Sequence, residues 1–191
     1  MTTRVIMPKD QWLSLADIKL RLSEADADLL QYQWLAEYGS MTSCLTEAAG
    51  EPLDVEVLSS NEQELSAEEK SFLALNNRNK AYVREVIMSI DDSPWLYGRT
   101  VVPHETLKGD GEQLKQLGTK PLGQLLFKNN VNSRLFIEVA VITKNHFLYP
   151  DLVSNIQQKH LWARRSMFLF NDSPLMVQEV FMPACAFLQP D

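Results

Sequence analysis

The chemically suggestive residues of this 191-residue chain are charges set in apolar strands. Arg84, Arg164 and Glu179 interrupt runs rich in Val, Ile, Met, Leu and Phe, and Arg99 stands in a similar run between Trp95 and Val102. Burying a lone guanidinium or carboxylate costs on the order of several kcal/mol. A face carrying such groups is therefore solvated, or its charges pair with one another, or a ligand completes the pairing. In the last case Arg84, Arg99, Arg164 and Glu179 form one polar site for a small anion, because a guanidinium grips a carboxylate with two parallel hydrogen bonds.

Spacing ties these residues together. Arg84-Glu-Val-Ile-Met-Ser-Ile-Asp-Asp-Ser-Pro94, continuing to Arg99 and Pro103, resembles Arg164-Arg-Ser-Met-Phe-Leu-Phe-Asn-Asp-Ser-Pro174, continuing to Glu179 and Pro183. Each later position lies 80 residues beyond its counterpart. Both copies read as strand, turn, strand, with Asp-Ser-Pro as the turn chemistry. Residues two apart in a strand share a face. Arg84 therefore accompanies Tyr82, Val86, Met88 and Ile90, and Glu179 accompanies Leu175, Val177 and Phe181. Arg164 and Arg165 point to opposite faces, so at most one of them joins Arg84. Gly98 either marks a bulge or leaves room for a ligand. Lys120-Pro-Leu-Gly123 reads as a helix start whose free N–H groups suit a carboxylate or an ordinary cap.

The elements that position these residues follow from pattern. A short helix is expected near Leu13–Leu22. A second starts at Ser23, with a carboxylate three residues on, and runs to Leu35 before Gly39. A third spans Met41–Ala49 and closes at Gly50. Leu53, Val55 and Val57 alternate with acids as a half-buried strand. Residues 59–79 read as a polar loop with a weak helix near Ala67–Leu73. Strands follow over Ala81–Ile90 and Trp95–Val102, then short helical pieces at Glu105–Lys108, Gln113–Leu117 and Leu122–Phe127. Arg134–Thr143 is a strand, 144–160 a polar connection, and Leu161–Phe170 and Leu175–Met182 the second hairpin. Helices and paired strands in this order give an α+β fold with a single antiparallel sheet of about six strands, its hairpins duplicated and flanked by helices, in one domain over residues 1–191. No Gly-rich strand–helix turn supports a dinucleotide fold.

Composition narrows the function classes. The hydrophobic fraction of 45%, the charged fraction of 23% and the net charge of −7 describe a globular chain ill suited to nucleic acid. Cys44 and Cys185 are too few for a disulfide framework, which points to a reducing, cytoplasmic setting. His104, His146 and His160 are isolated, and no metal-binding spacing occurs. There is no signal-peptide h-region and no apolar run of membrane-spanning length.

Several runs resemble the chorismate lyase family: Ser40-Met-Thr42, Pro94-Trp-Leu-Tyr-Gly-Arg-Thr-Val-Val-Pro103, Leu117-Gly-Thr-Lys-Pro-Leu-Gly-Gln-Leu-Leu-Phe127, Leu161-Trp-Ala-Arg-Arg-Ser166 and Glu179-Val-Phe-Met-Pro183. Five such runs in order are far more specific than any one of them. They cover roughly residues 30–187 with gaps. The resemblance implies an internally duplicated sheet enclosing its ligand, no cofactor, and elimination of pyruvate from chorismate to give 4-hydroxybenzoate on the way to ubiquinone. It implies that Arg84 grips the ring carboxylate, that Glu179 faces the ring hydroxyl, and that Met41 and Leu122 line the pocket. The chain is expected to act as a monomer without nucleic acid or a transmembrane segment. Two departures stand out. Segment 143–160 is long, and Ser43 replaces the basic residue that some members carry, leaving the second carboxylate to Arg99 or to one of Arg164 and Arg165. The rival reading is a non-catalytic sensor of small anions, because effector domains of some transcription regulators resemble this fold. A protein–protein scaffold with merely structural charges is the blander third.

Overall fold

A computed structural model describes residues 7–21, 26–75, 79–127, 133–149 and 159–185. Its strands are β1 (Leu13–Ser14), β2 (Asp54–Glu64), β3 (Lys80–Ile90), β4 (Ser93–Val102), β5 (Ser133–Thr143), β6 (His160–Phe170) and β7 (Ser173–Phe181). Its helices are α1 (Leu15–Arg21), α2 (Asp26–Leu35), α3 (Met41–Ala49), α4 (Ala67–Phe72) and α5 (Leu122–Leu126), with a 3₁₀ stretch over Gly109–Gln116. The strands form one antiparallel sheet in the order β1-β5-β6-β7-β4-β3-β2. The seventh strand, beyond the six expected, is the two-residue β1 at one edge; it takes the first two residues of what the sequence suggested was a helix.

The duplication is visible in the topology. The β3–β4 and β6–β7 hairpins lie side by side, with β4 and β7 paired at the centre of the sheet. Their turns are alike: Asp91 and Asp92 in one, and Asn171 and Asp172 in the other, all have positive φ. That is the geometry of a two-residue hairpin whose twist matches its strands, and short Asn and Asp side chains tolerate it. Ser93-Pro94 and Ser173-Pro174, which read as turn residues, already belong to the return strands. Proline fits there because a strand's first residues can do without one ladder donor.

The two hairpins differ by one residue. Met88 pairs with Leu96 while Ser89 pairs with Pro94, so Trp95 is an extra residue in β4. The second hairpin pairs Phe168 with Leu175 and Leu169 with Pro174 without interruption. A bulge of this kind reverses which face the rest of its strand presents.

Among the described residues α4 alone lies on one face, while helices α1, α2, α3 and α5 cover the other, hereafter the helix-covered face. Ile18, Leu35, Met41 and Leu45 pack there on Val86, Met88, Leu96, Val139, Trp162 and Phe181. Nearby, Leu114, Leu117, Leu122 and Leu126 pack on Tyr82, Val102, Phe168 and Val177. The opposite face carries Val83, Val101 and Met176 under Leu65 and Leu73, and Ile87, Ala140 and Val180 beside Leu148 and Tyr149. Each face thus has two apolar patches with polar residues between them.

Local signals explain three of the helix ends. Ser40 caps α3 by accepting from Ser43 N, and Gly50 closes it with φ 77°. Ser66 and Glu69 form a capping box at α4. Residues 59–64 are strand rather than loop. They extend the edge strand β2, where Ser59 and Gln63 bond Glu85 and Ser60 bonds Tyr82. Polar side chains are tolerated because that edge is solvated. Ser23 and most of the 144–160 connection lie outside the described residues.

Candidate active site

Reading across the sheet, one row on the helix-covered face is Val86, Gly98, Glu179, Arg164 and Val139. The adjacent row is Arg84, Thr100, Val177, Ser166 and Ile137. Arg84, Arg164 and Glu179 therefore share a face. They are 3%, 0% and 7% exposed, so none is a solvated surface charge.

Glu179 pairs with Arg164, its direct cross-strand neighbour, and not with Arg84. Arg164 Nε and Nη2 both donate to the carboxylate, the latter at 3.1 Å. Arg84 instead reaches the segment before α5, where its Nη2 donates to Gly118 O at 2.8 Å and Lys120 O at 3.1 Å. Its Nε is buried without a partner, and burial lowers its pKa. Among the described residues Arg84 forms no ion pair. A buried cation lacking a counter-charge is the signature of a site that takes an anion.

Gly98 separates Val86 from Glu179 in the first row. A Cβ added there would meet one atom within 4 Å, Val86 Cγ2 at 3.1 Å. The space over the sheet between the Arg84 and Glu179 rows is thus kept open by the absence of a side chain. The register runs regularly through Gly98, so the alternative of a bulge at this position is not realised.

Met41 and Leu122, expected to line the pocket, lie at helix starts on the same face as Arg84. Each is the first residue of its helix, and the two helix starts are packed together. A Cβ on Gly123 would come within 2.5 Å of Ser40 Oγ, so only glycine permits this approach. Met41 is 2% exposed in one apolar patch and Leu122 is 7% exposed in the other. A cleft of about 370 Å³ opens between α2 and α3, lined by Trp34, Glu37, Cys44 and Glu47.

Of the other cations offered for the second carboxylate, two face away. Arg99 does not join Arg84, because the Trp95 bulge turns it to the opposite face. There it binds Glu69 Oε1 at 2.8 Å, Gln63 Oε1 at 2.8 Å and Glu85 Oε1 at 3.1 Å. Arg165 lies on that face too, 2.6 Å from Glu138 and over the Trp12 and Phe72 rings. Neither is placed to serve a ligand near Glu179. Behind the site these residues make an ion-pair row: Glu85, Arg99, Gln178, Arg165 and Glu138. Burial pushes the Glu85 carboxyl up, but hydrogen bonds from Gln63, Ser59 and Tyr97 and the Arg99 charge outweigh it and hold the group at about 2.

Sequence reasoning missed Arg134. Between Arg134 and Phe136 the β5–β6 register shifts, which brings Arg134 opposite Phe168 on the helix-covered face. Its guanidinium lies 4.6 Å from the Phe168 ring centre and 5.6 Å from that of Phe127. Strict alternation from Glu138 would have placed it on the other face, so no simple periodicity signal identifies it.

The chain shares its fold with the effector domain of PhnF from Mycobacterium smegmatis, with a TM-score of 0.51 and 12% identity, covering 78% of this chain and 91% of that one. That likeness defines the architecture alone. The family model for chorismate lyase matches residues 11–189, and the chain belongs to that family. It is 35% identical to the chorismate pyruvate-lyase of Hamiltonella defensa over 85% of this chain and 83% of that protein. It is 37% identical to the chorismate pyruvate-lyase of Proteus mirabilis over 79% of each.

Proposed function

We propose that the protein is a chorismate pyruvate-lyase acting in the cytoplasm, forming 4-hydroxybenzoate and pyruvate on the route to ubiquinone. The observation that carries this is that Arg84, buried without an ion pair among the described residues, and the buried Glu179 stand in adjacent rows of one sheet face, in a member of the chorismate lyase family. Chorismate carries a ring carboxylate, a ring hydroxyl and an enolpyruvyl ether. Loss of the C4 hydrogen as a proton and cleavage of the C3–O bond release enolpyruvate, which takes up a proton as pyruvate, and the ring becomes aromatic.

In this reading Arg84, its Nη2 held by Gly118 O and Lys120 O, offers its unpartnered Nε and its charge to the ring carboxylate, fixing one end of the ring. The Glu179 carboxylate accepts a hydrogen bond from the ring hydroxyl, with Arg164 holding it in place. Met41, Leu122 and the two helix starts exclude water from above. Aromatisation supplies the driving force, so the protein's task is to hold the ether in a reactive conformer and favour the departing oxygen. Positioning and preorganised charge can account for large rate factors. The non-catalytic sensor is not favoured, because identity reaches 37% with lyases and 12% with the effector domain.

The test is direct. Purified protein mixed with chorismate should generate the absorbance of 4-hydroxybenzoate, with equimolar pyruvate. Arg84→Ala should abolish turnover and weaken binding of 4-hydroxybenzoate. Wild-type protein that binds chorismate but leaves it intact would support the sensor instead.

A further inference from the structure

Arg134 is a second cation on the ligand face that the proposed chemistry leaves without a task. Its Nη1 donates to Glu37 O at 2.7 Å, and Arg164 Nη1 donates to the same carbonyl at 2.8 Å. Its Nε is buried without a partner, and among the described residues it forms no ion pair. The nearby Glu37 carboxylate turns back to Gly39 N at 2.5 Å. Glu179 is held by Arg164. Burial, with the Arg164 charge, lowers the Arg134 pKa to about 10, so the group stays cationic at neutral pH.

One strand over, Ser166 is 0% exposed and its Oγ has no partner. It stands between Val177 and Ile137 in the Arg84 row, next to the Phe168 that carries Arg134. Arg84 Nε, Ser166 Oγ and Arg134 Nε are thus three buried, unpartnered groups on one face, and all of them can donate. A water would satisfy one such group but would not neutralise a guanidinium. Among the described residues Arg164 is paired with Glu179, whereas Arg84 and Arg134 form no ion pair, Arg134 feeling the Glu179 and Glu37 charges only at a distance, which leaves two guanidiniums on this face without one. A dianion with carboxylates at both ends of a small molecule matches that count.

We propose that Arg134 and Ser166 receive the second carboxylate of the substrate, the one on the enolpyruvyl side chain that leaves. This rests on the lyase reading above. It replaces Arg99 and Arg165, which face away, and Arg164, whose charge is taken up by Glu179. A cation at that carboxylate orients the ether and stays with the leaving group as negative charge develops on the enolate oxygen.

Product and substrate separate this role from a structural one, because 4-hydroxybenzoate lacks the second carboxylate. Arg134→Met keeps an unbranched apolar stem over Phe127 and Phe168. It should lower kcat/KM for chorismate about 100-fold, the factor expected for losing a charged hydrogen-bond pair. The Kd of 4-hydroxybenzoate, measured by calorimetry, should stay within about two-fold of wild type. Arg134→Lys should recover part of the loss. Ser166→Ala, which removes only the hydroxyl, should lower kcat/KM about tenfold with product binding unchanged. An unchanged kcat/KM in these variants would overturn the proposal. So would weakening of product and substrate in parallel, which is what loosening the Glu37 connection alone would give. Absence of turnover in the wild type would instead overturn the lyase reading itself.

Discussion

Removing the Glu179 side chain separates its two roles. Arg164 is 0% exposed and its only carboxylate partner among the described residues is Glu179, itself 7% exposed. In Glu179→Leu the guanidinium keeps its bond to Glu37 O but loses both bonds to carboxylate. Breaking a buried pair from one side costs about 3–5 kcal/mol. In a chain of this size that lowers Tm by roughly 8–15 °C. Adding Arg164→Met replaces the pair by apolar groups of similar volume, and stability should return to within about 1–2 kcal/mol of wild type. Activity should not return, because the ring hydroxyl then meets no carboxylate. The assays are calorimetric melting, chorismate turnover and 4-hydroxybenzoate binding on the wild type, both single variants and the double variant. A double variant that regains stability and turnover together would show that Glu179 is only a counter-ion for Arg164. A single variant that melts like wild type would show that the pair is not buried.

Three more outcomes follow. Gly98→Ala should change stability by less than about 1 kcal/mol, since the added methyl meets only Val86 and alanine costs less backbone entropy than glycine in a strand. It should weaken 4-hydroxybenzoate at least about tenfold by overpacking the space next to Glu179; unchanged affinity would put the ring elsewhere. The Glu85 carboxyl is held at about 2 in the folded protein against an ordinary 4.5, so its stabilisation is full above about pH 5 and lost as pH falls toward 2. Glu85→Gln should flatten the urea-midpoint profile between pH 5 and 2 by roughly 2–3 kcal/mol, and parallel profiles would exclude this linkage. Gly123→Ala should separate the starts of α3 and α5 and weaken product binding, because its Cβ would lie 2.5 Å from Ser40 Oγ; unaltered binding would remove these helix starts from the site.

The sheet was legible because its strands are long, rich in β-branched and aromatic residues, and punctuated by acid-rich turns. The repeat from Arg84 and from Arg164 correctly implied twin hairpins. The site was legible where register is regular. Parity grouped Arg84 with Val86 and Met88, grouped Glu179 with Val177 and Phe181, and divided Arg164 from Arg165, but only the pairing of the strands brings Arg84 and Glu179 onto one face. It failed wherever a strand carries one extra residue. Trp95 turns Arg99 away from the site, and the shift after Arg134 turns that residue in. Neither bulge leaves a mark in composition, because each is set by how two strands pair rather than by the residue that is skipped. The strand over 59–64 was hidden for a different reason. Ser59, Ser60, Asn61 and Glu62 are loop-like in propensity, yet backbone pairing to β3 decides at a solvated edge. The role proposed for Met41 and Leu122 comes only from family resemblance, since nothing in their chemistry separates them from ordinary core residues.

A crystal structure of the protein with 4-hydroxybenzoate bound would locate the ring. One ligand should lie beneath the starts of α3 and α5, ring over Gly98, carboxylate on Arg84 and hydroxyl on Glu179. Density for the ligand only in the outer cleft beside Trp34 and Cys44, with the Arg84 and Glu179 side chains untouched, would contradict that placement.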